Sequence, residues 1–227
     1  MKKKYCLLLL LFPFFFFSYG QTQENTPKAG KFGVGVGYSL NTVFGDSIHP
    51  IEIVLKYRLK DKHTFYLNVP FQISRKHKDS SGEEYIAHNW ERRNVYGVGA
   101  GYDYNIPIYA HLSGFIGLGF EYTHFKNEVS GSSNSTDKLP HELQSTAHWE
   151  SSVSKNAYSL LPSVGLRYSI GHWEAEVKYK LYVSRIREDQ TDYYIDEAMN
   201  TGYKLIPYPY YETAVTGAMS FYLTYFF

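Results

Sequence analysis

The chain is nearly without cysteine. Cys6 is the single one in 227 residues, and it lies ahead of an N-terminal apolar run. It is therefore not the lipid-modified cysteine that follows such a run in a lipoprotein. Past Cys6 there is no thiol for a disulfide, a thiolate nucleophile or a thiolate metal site. An excess of one charge is lacking too. Lys and Arg number 23 and Asp and Glu 22, a formal +1, which gives no sign of a nucleic-acid partner. No apolar run is long enough for a spanning helix. The longest, Leu7 to Phe17, follows the basic start MKKK and precedes Ser18 and Gly20, small residues placed as at a signal-peptide cleavage site. Residues 1–20 are expected to be a signal peptide. Removing Lys2, Lys3 and Lys4 takes the formal charge from +1 to −2. An exported chain without covalent staples is expected.

Aromatics are abundant: 23 Tyr and 15 Phe bring the aromatic share to 18%, too much apolar surface for a disordered chain. A polar leader, residues 21–30, precedes a pattern that recurs eight times up to the last residue. In IEIVLKYRLK, Ile51, Ile53, Leu55, Tyr57 and Leu59 alternate with Glu52, Val54, Lys56, Arg58 and Lys60. Such alternation is a β-strand signal, and Arg58 breaks any helical stripe. Phe32, Val34, Val36, Tyr38 and Leu40 alternate likewise with glycines, Ser39 and Asn41. Further runs start near His63, Asn94, Tyr109, Ala157, Trp173 and Ala214. Pro70 and Pro162 each remove a ladder donor, so a bulge and a parity slip are expected near both. The connections alternate too. Those near Lys62, Asn105 and Gly171 are tight, while 75–93, 126–156 and 185–212 are long and polar. One end short and one end elaborate is the habit of transmembrane β-barrels.

Alternation alone does not say which face points out. A soluble lipocalin-like barrel would turn its apolar face inward. Three observations favour lipid outside. The second face is rich in glycine, which inside a narrow barrel makes room for long neighbours. Its charges nearly cancel: Lys56, Arg58, Lys60, Arg167, Lys178 and Lys180 against Glu52, Asp103, Glu121, Glu174 and Glu176. Burial demands such pairing. Aromatics such as Tyr38, Tyr104, Tyr122, Trp173 and Tyr225 crowd the ends of the apolar face, as in interfacial girdles. These eleven charged residues are expected to form an interior network, with ion pairs among Arg58, Lys60, Asp103 and Glu174 at the periplasmic end.

On this pattern residues 31–227 resemble the small outer-membrane β-barrel proteins, the OmpA/OmpX-type eight-stranded barrels. The resemblance implies an all-β, antiparallel up-and-down barrel in the outer membrane, with short periplasmic turns and long extracellular loops. It also implies that Phe221, Leu223, Tyr225 and Phe227, on the last strand, match the signal that the barrel-insertion machinery reads in that family. Gly217 lies earlier than the glycine usually found in that signal. The partners expected are thus the lipid bilayer, the insertion machinery and a surface partner that the sequence does not identify. A monomer that binds no nucleic acid is expected.

Candidate chemistry is sparse. His111 and Ser113 resemble the His-x-Ser of outer-membrane lipid A deacylases, but they start a strand at the tight-turn end, with no carboxylate to orient the His. His141, Glu142, His148 and Glu150 fall in one long connection, and Asp189, Asp192, Asp196 and Glu197 in the next, without EF-hand spacing. The GVGVG and GVGAG stretches sit mid-strand with no following helix, so they read as no nucleotide site. No catalytic residue, cofactor or metal is assigned. Eight strands leave an interior just wide enough for side chains, so no sizeable pore is expected. A non-enzymatic membrane-structural or recognition protein is the reading, with a lipid-modifying enzyme or a lipocalin-like binder as alternatives.

Overall fold

The computed structural model describes residues 32–40, 44, 49–59, 62–81, 85–135, 146–196, 201–206 and 208–227. The expected signal peptide, the leader and Lys60 lie outside them. Nine strands are present: β1 (Phe32–Leu40), β2 (Ile51–Leu59), β3 (His63–Ser81), β4 (Tyr85–Tyr109), β5 (Leu112–Ser135), β6 (Thr146–Ile170), β7 (Trp173–Asp196), β8 (Thr201–Leu205) and β9 (Tyr210–Phe226). All neighbours are antiparallel, and β1 pairs with both β2 and β9 while β6 pairs with β7. Eight strands therefore close a ring. The ninth, β8, is an annex on the far end of β7.

The pairing fixes the tilt. Phe221 pairs with Tyr38, and the path continues through Ile51, Phe71, Tyr96, His124, Asn156 and Arg187 to Tyr211. It thus returns to β9 ten residues from where it left. A closed ring with such a stagger needs strands tilted by roughly 35–45°.

Alternation decides the faces as expected for a membrane barrel. In β1, Phe32, Val34, Val36, Tyr38 and Leu40 face out while Gly33, Gly35, Gly37 and Ser39 face in. Leu118 on β5 is 53% exposed, among a continuous belt that includes Ile53, Leu67, Val98, Val164, Val177 and Leu223. Aromatic contacts edge this belt. On the tight-turn side Trp173, Tyr225 and Phe227 pack in series at 5.1 and 5.3 Å, and His63 meets the Tyr102 hydroxyl at 2.6 Å. On the other side Tyr96 lies 4.7 Å from His124, and the Tyr122 hydroxyl donates to Asn156 at 2.7 Å. At the β6–β7 hairpin Gly171 takes φ 55°, the left-handed region that two-residue hairpin turns require.

Two expectations are corrected. The parity slip at the prolines does not occur: Asn68 pairs with Gly99 and Phe71 with Tyr96, in one register on either side of Pro70. Leu160 with Val183 and Ser163 with Lys180 likewise keep one register across Pro162. Each proline instead turns its donorless nitrogen toward β4 or β7, where two pairs drop from the ladder, and stays paired on its other side with Glu52 or Leu118. The register shift lies between Pro107 and Tyr109, beside a tight turn. The second correction concerns the long connections. Most of 75–93, 126–156 and 185–212 is strand, so β4 and β6 reach 25 residues each. Crossing a bilayer takes about 9–11. The excess projects beyond the outer rim as a sheeted wall.

Candidate functional site

Period-2 alternation aims every second side chain of β2, β4, β6 and β7 into the ring, and the pairing brings ions from distant positions together. Arg167 is central. Its guanidinium donates to Glu176 at 2.8 Å, to Asp103 at 2.8 Å, to Thr64 at 3.3 Å and to Asn105. Its flat side lies 4.4 Å from the Phe115 ring centre. Lys178 reaches both Asp103 oxygens at 3.0 Å and sits 3.9 Å over the Tyr66 ring. Lys56 bridges Glu174 and Glu176 at 2.8 and 2.7 Å. Arg58 pairs with Glu174 and covers the Phe226 ring at 3.8 Å. Farther out, Lys180 donates to Glu52 at 2.8 and 2.9 Å, and Ser39, Tyr222 and Asn68 also donate to that carboxylate. Glu121 accepts from Asn68 and Thr123 at 2.8 and 3.0 Å, and among the described residues no cation lies within 4.0 Å of it.

Five cations and five anions of the eleven expected residues thus line one interior. All but Arg58 are fully buried. Desolvating one ion costs several kcal/mol unless good geometry and further hydrogen bonds offset it. Here nearly every charge has two or more partners.

Glycine makes that density sterically feasible. A Cβ on Gly101 or Gly119 would stand 2.2 or 2.5 Å from the Tyr66 hydroxyl. One on Gly165 would stand 2.2 Å from the Val177 carbonyl oxygen and 2.4 Å from Phe115.

The outer half of the interior is different. Ala157, Leu161, Tyr182, Ile186 and Ala218 form an apolar cluster, and Val95 and Phe125 form another. Phe44, from the first outer connection, touches both and stacks on Phe125 at 5.3 Å. Between this plug and Glu121 a cavity of about 10 Å³ remains, room for one water at most. The apolar plug is absent from the sequence reading. Its signal was available, since Tyr182 and Ile186 keep the inward parity of Lys178 and Lys180.

The other candidates separate. The His111 ring lies edge-on to Tyr168 at 6.2 Å, while Ser113 pairs with Arg167 across β5 and β6. Among the described residues no hydrogen bond joins His111 to Ser113. Asp192 accepts from Ser151 and Gln190, and Asp189 pairs with Arg187. His148 and Glu150 lie on β6, two residues apart. His141, Glu142 and Glu197 fall outside the described residues, as does the Asp196 side chain. Outside the wall, Arg75, His77, Trp90, Arg92, Glu128 and Glu150 border an open groove of about 450 Å³.

A closed eight-stranded ring, apolar toward lipid and ionic within, defines an outer-membrane β-barrel. The chain belongs to the family of solitary outer membrane autotransporter β-barrel domains, whose pattern matches residues 38–197. No curated protein matches it in sequence. Among solved structures it is similar to a major outer membrane protein from Thermus thermophilus, at 12% identity and TM-score 0.44 over 87% of this chain and 98% of that one. It is also similar to Neisserial surface protein A, at 10% identity and TM-score 0.37 over 86% and 96%. The outer membrane protein AlkL gives 14%, 0.40, 92% and 95%. The family match and the barrel's own geometry place the protein in the outer membrane.

Proposed function

We propose that this outer-membrane barrel is a non-enzymatic monomer that displays a rigid, sheeted surface for recognition and conducts nothing sizeable. The observation that carries the proposal is the pairing of a filled interior with exposed aromatics on the projecting wall. Trp90 is 56% exposed, Tyr193, Tyr203, Tyr210 and Tyr211 are exposed with it, and Tyr208, in the connection between β8 and β9, is exposed too. Aromatic side chains held on a stiff scaffold give large contact area at low entropic cost. The ionic network and the apolar plug act together as the stopper. Phe221, Leu223, Tyr225 and Phe227, all on the outward face of β9 and its end, would serve as the assembly signal, after residues 1–20 direct export. A hydrolase reading finds no support in the separation of His111 from Ser113.

Replacing residues 188–210 by a tight turn tests the proposal, because Arg187 and Tyr211 are already paired. The shortened protein should insert and keep heat-modifiable migration. Cells displaying it should lose adhesion to protein- or glycan-coated surfaces that cells displaying the full chain show. Equal adhesion, or failure to insert, contradicts it.

A further inference from the structure

The clearest unassigned cluster of chemistry lies on the β3–β4 hairpin beyond the outer rim. The sequence there reads KHKD at 76–79 and AHNW at 87–90. Alternation places His77 and Asp79 on one face and Lys76 and Lys78 on the other. The ladder sets Asp79 opposite His88 and His77 opposite Trp90. Three ligand-type side chains therefore converge from two strands. His77 Nε2 lies 2.9 Å and His88 Nδ1 2.7 Å from the same Asp79 oxygen, Oδ1. All three atoms fall within 4.8 Å of one another. The two imidazoles stack at 6.3 Å, and Trp90 packs on the His77 ring at 3.8 Å.

We infer that His77, Asp79 and His88 form a surface site for a divalent transition metal of the zinc class. Two imidazoles and one carboxylate are a donor set for Zn²⁺, Cu²⁺ or Ni²⁺, whereas Ca²⁺ and Mg²⁺ prefer oxygen alone. A metal at about 2.0–2.2 Å from each donor needs ligand atoms about 3.4 Å apart in tetrahedral geometry. The present 2.7 and 2.9 Å separations open to that by small rotations of three exposed side chains. Three protein ligands leave a fourth position to water or to a group on a partner. Alternation puts Lys78 on the opposite face from the three ligands, while Arg75, Lys76 and Arg92 line the adjoining groove with Glu128 and Glu150 as counter-charges. Bound metal would tie β3 to β4 where lipid no longer supports the hairpin.

The sequence alone hid this site because its ligands are spaced across a turn, and only the register brings them together. Zinc titrated into tag-free protein in detergent micelles tests it by calorimetry, with Ca²⁺ as the contrast. One Zn²⁺ per chain is expected, and His77→Gln or His88→Gln should weaken it by more than about tenfold, the lower range for disturbing even an outer-shell partner. Saturable Ca²⁺ binding of equal strength, no Zn²⁺ binding, or unchanged Zn²⁺ binding in either variant overturns the proposal. The unaltered chain gives a second test that needs no histidine variant to fold. One equivalent of Cu²⁺ should quench a component of tryptophan fluorescence that Trp90→Phe removes. Quenching that is absent, or unaffected by that substitution, overturns it as well.

Discussion

Around Arg167 the barrel is filled by ions, whereas farther out, around Leu161 and Tyr182, it is filled by hydrocarbon. The two fillings do different work. Lys56, Asp103, Arg167 and Glu176 come from β2, β4, β6 and β7, and their hydrogen bonds are met only at one mutual register. The ionic half therefore specifies alignment. The apolar half, with Phe44 over it, tolerates small rotations and excludes water. A salt network exposed to bulk water would lose most of its strength. The plug is what keeps it dry on the outer side.

The largest expected effect comes from breaking the ionic half on one side only. Arg167→Met leaves Asp103 and Glu176 buried with one cation fewer, and should lower stability by about 3–5 kcal/mol, read as an earlier urea midpoint in liposomes. The next tests the wall between these fillings and the lipid. Leu118→Arg should cost about 2–4 kcal/mol by placing a cation among lipid tails, while Leu118→Ile folds normally in the same assay. Gly117→Arg should also impair folding, but by overpacking, because a Cβ there already meets Asp103 at 2.1 Å. In the apolar half, Ile186→Val should cost about 0.5–1.5 kcal/mol, measured by the same unfolding curves. The smallest effect sharpens the comparison within the network. Glu121, held by Asn68 and Thr123 rather than by an adjacent cation, should accept Gln within about 1 kcal/mol, whereas Glu52→Gln removes the partner of Lys180 and should approach the Arg167 value.

Much of this was legible in the sequence because period 2 is a rigid rule. IEIVLKYRLK states its two faces residue by residue, and glycine on the charged side said which face was crowded. The ends of the strands were not legible. Past Arg75 or Lys126 both faces meet water, so KHKDS and NEVSGSS carry no apolar alternation even though they pair. The same loss hid β8. Pro70 and Pro162 misled for another reason: a missing donor can be absorbed by dropping ladder pairs on one side, without adding a residue. Contacts such as Lys180 with Glu52 depend on the ring's stagger, which no single strand reveals.

The facing of the wall is read most sharply at Ile53, Val54 and Leu55 on β2, where the middle residue is buried and its neighbours are exposed. With Cys6 replaced by Ser, the chain offers no competing thiol, so single cysteines at these positions can each carry a nitroxide label in liposomes. High accessibility to lipid-dissolved oxygen is expected at 53 and 55, and low accessibility at 54 to both oxygen and a water-soluble nickel chelate. The reverse alternation, or strong nickel access at 53 and 55, would contradict that facing.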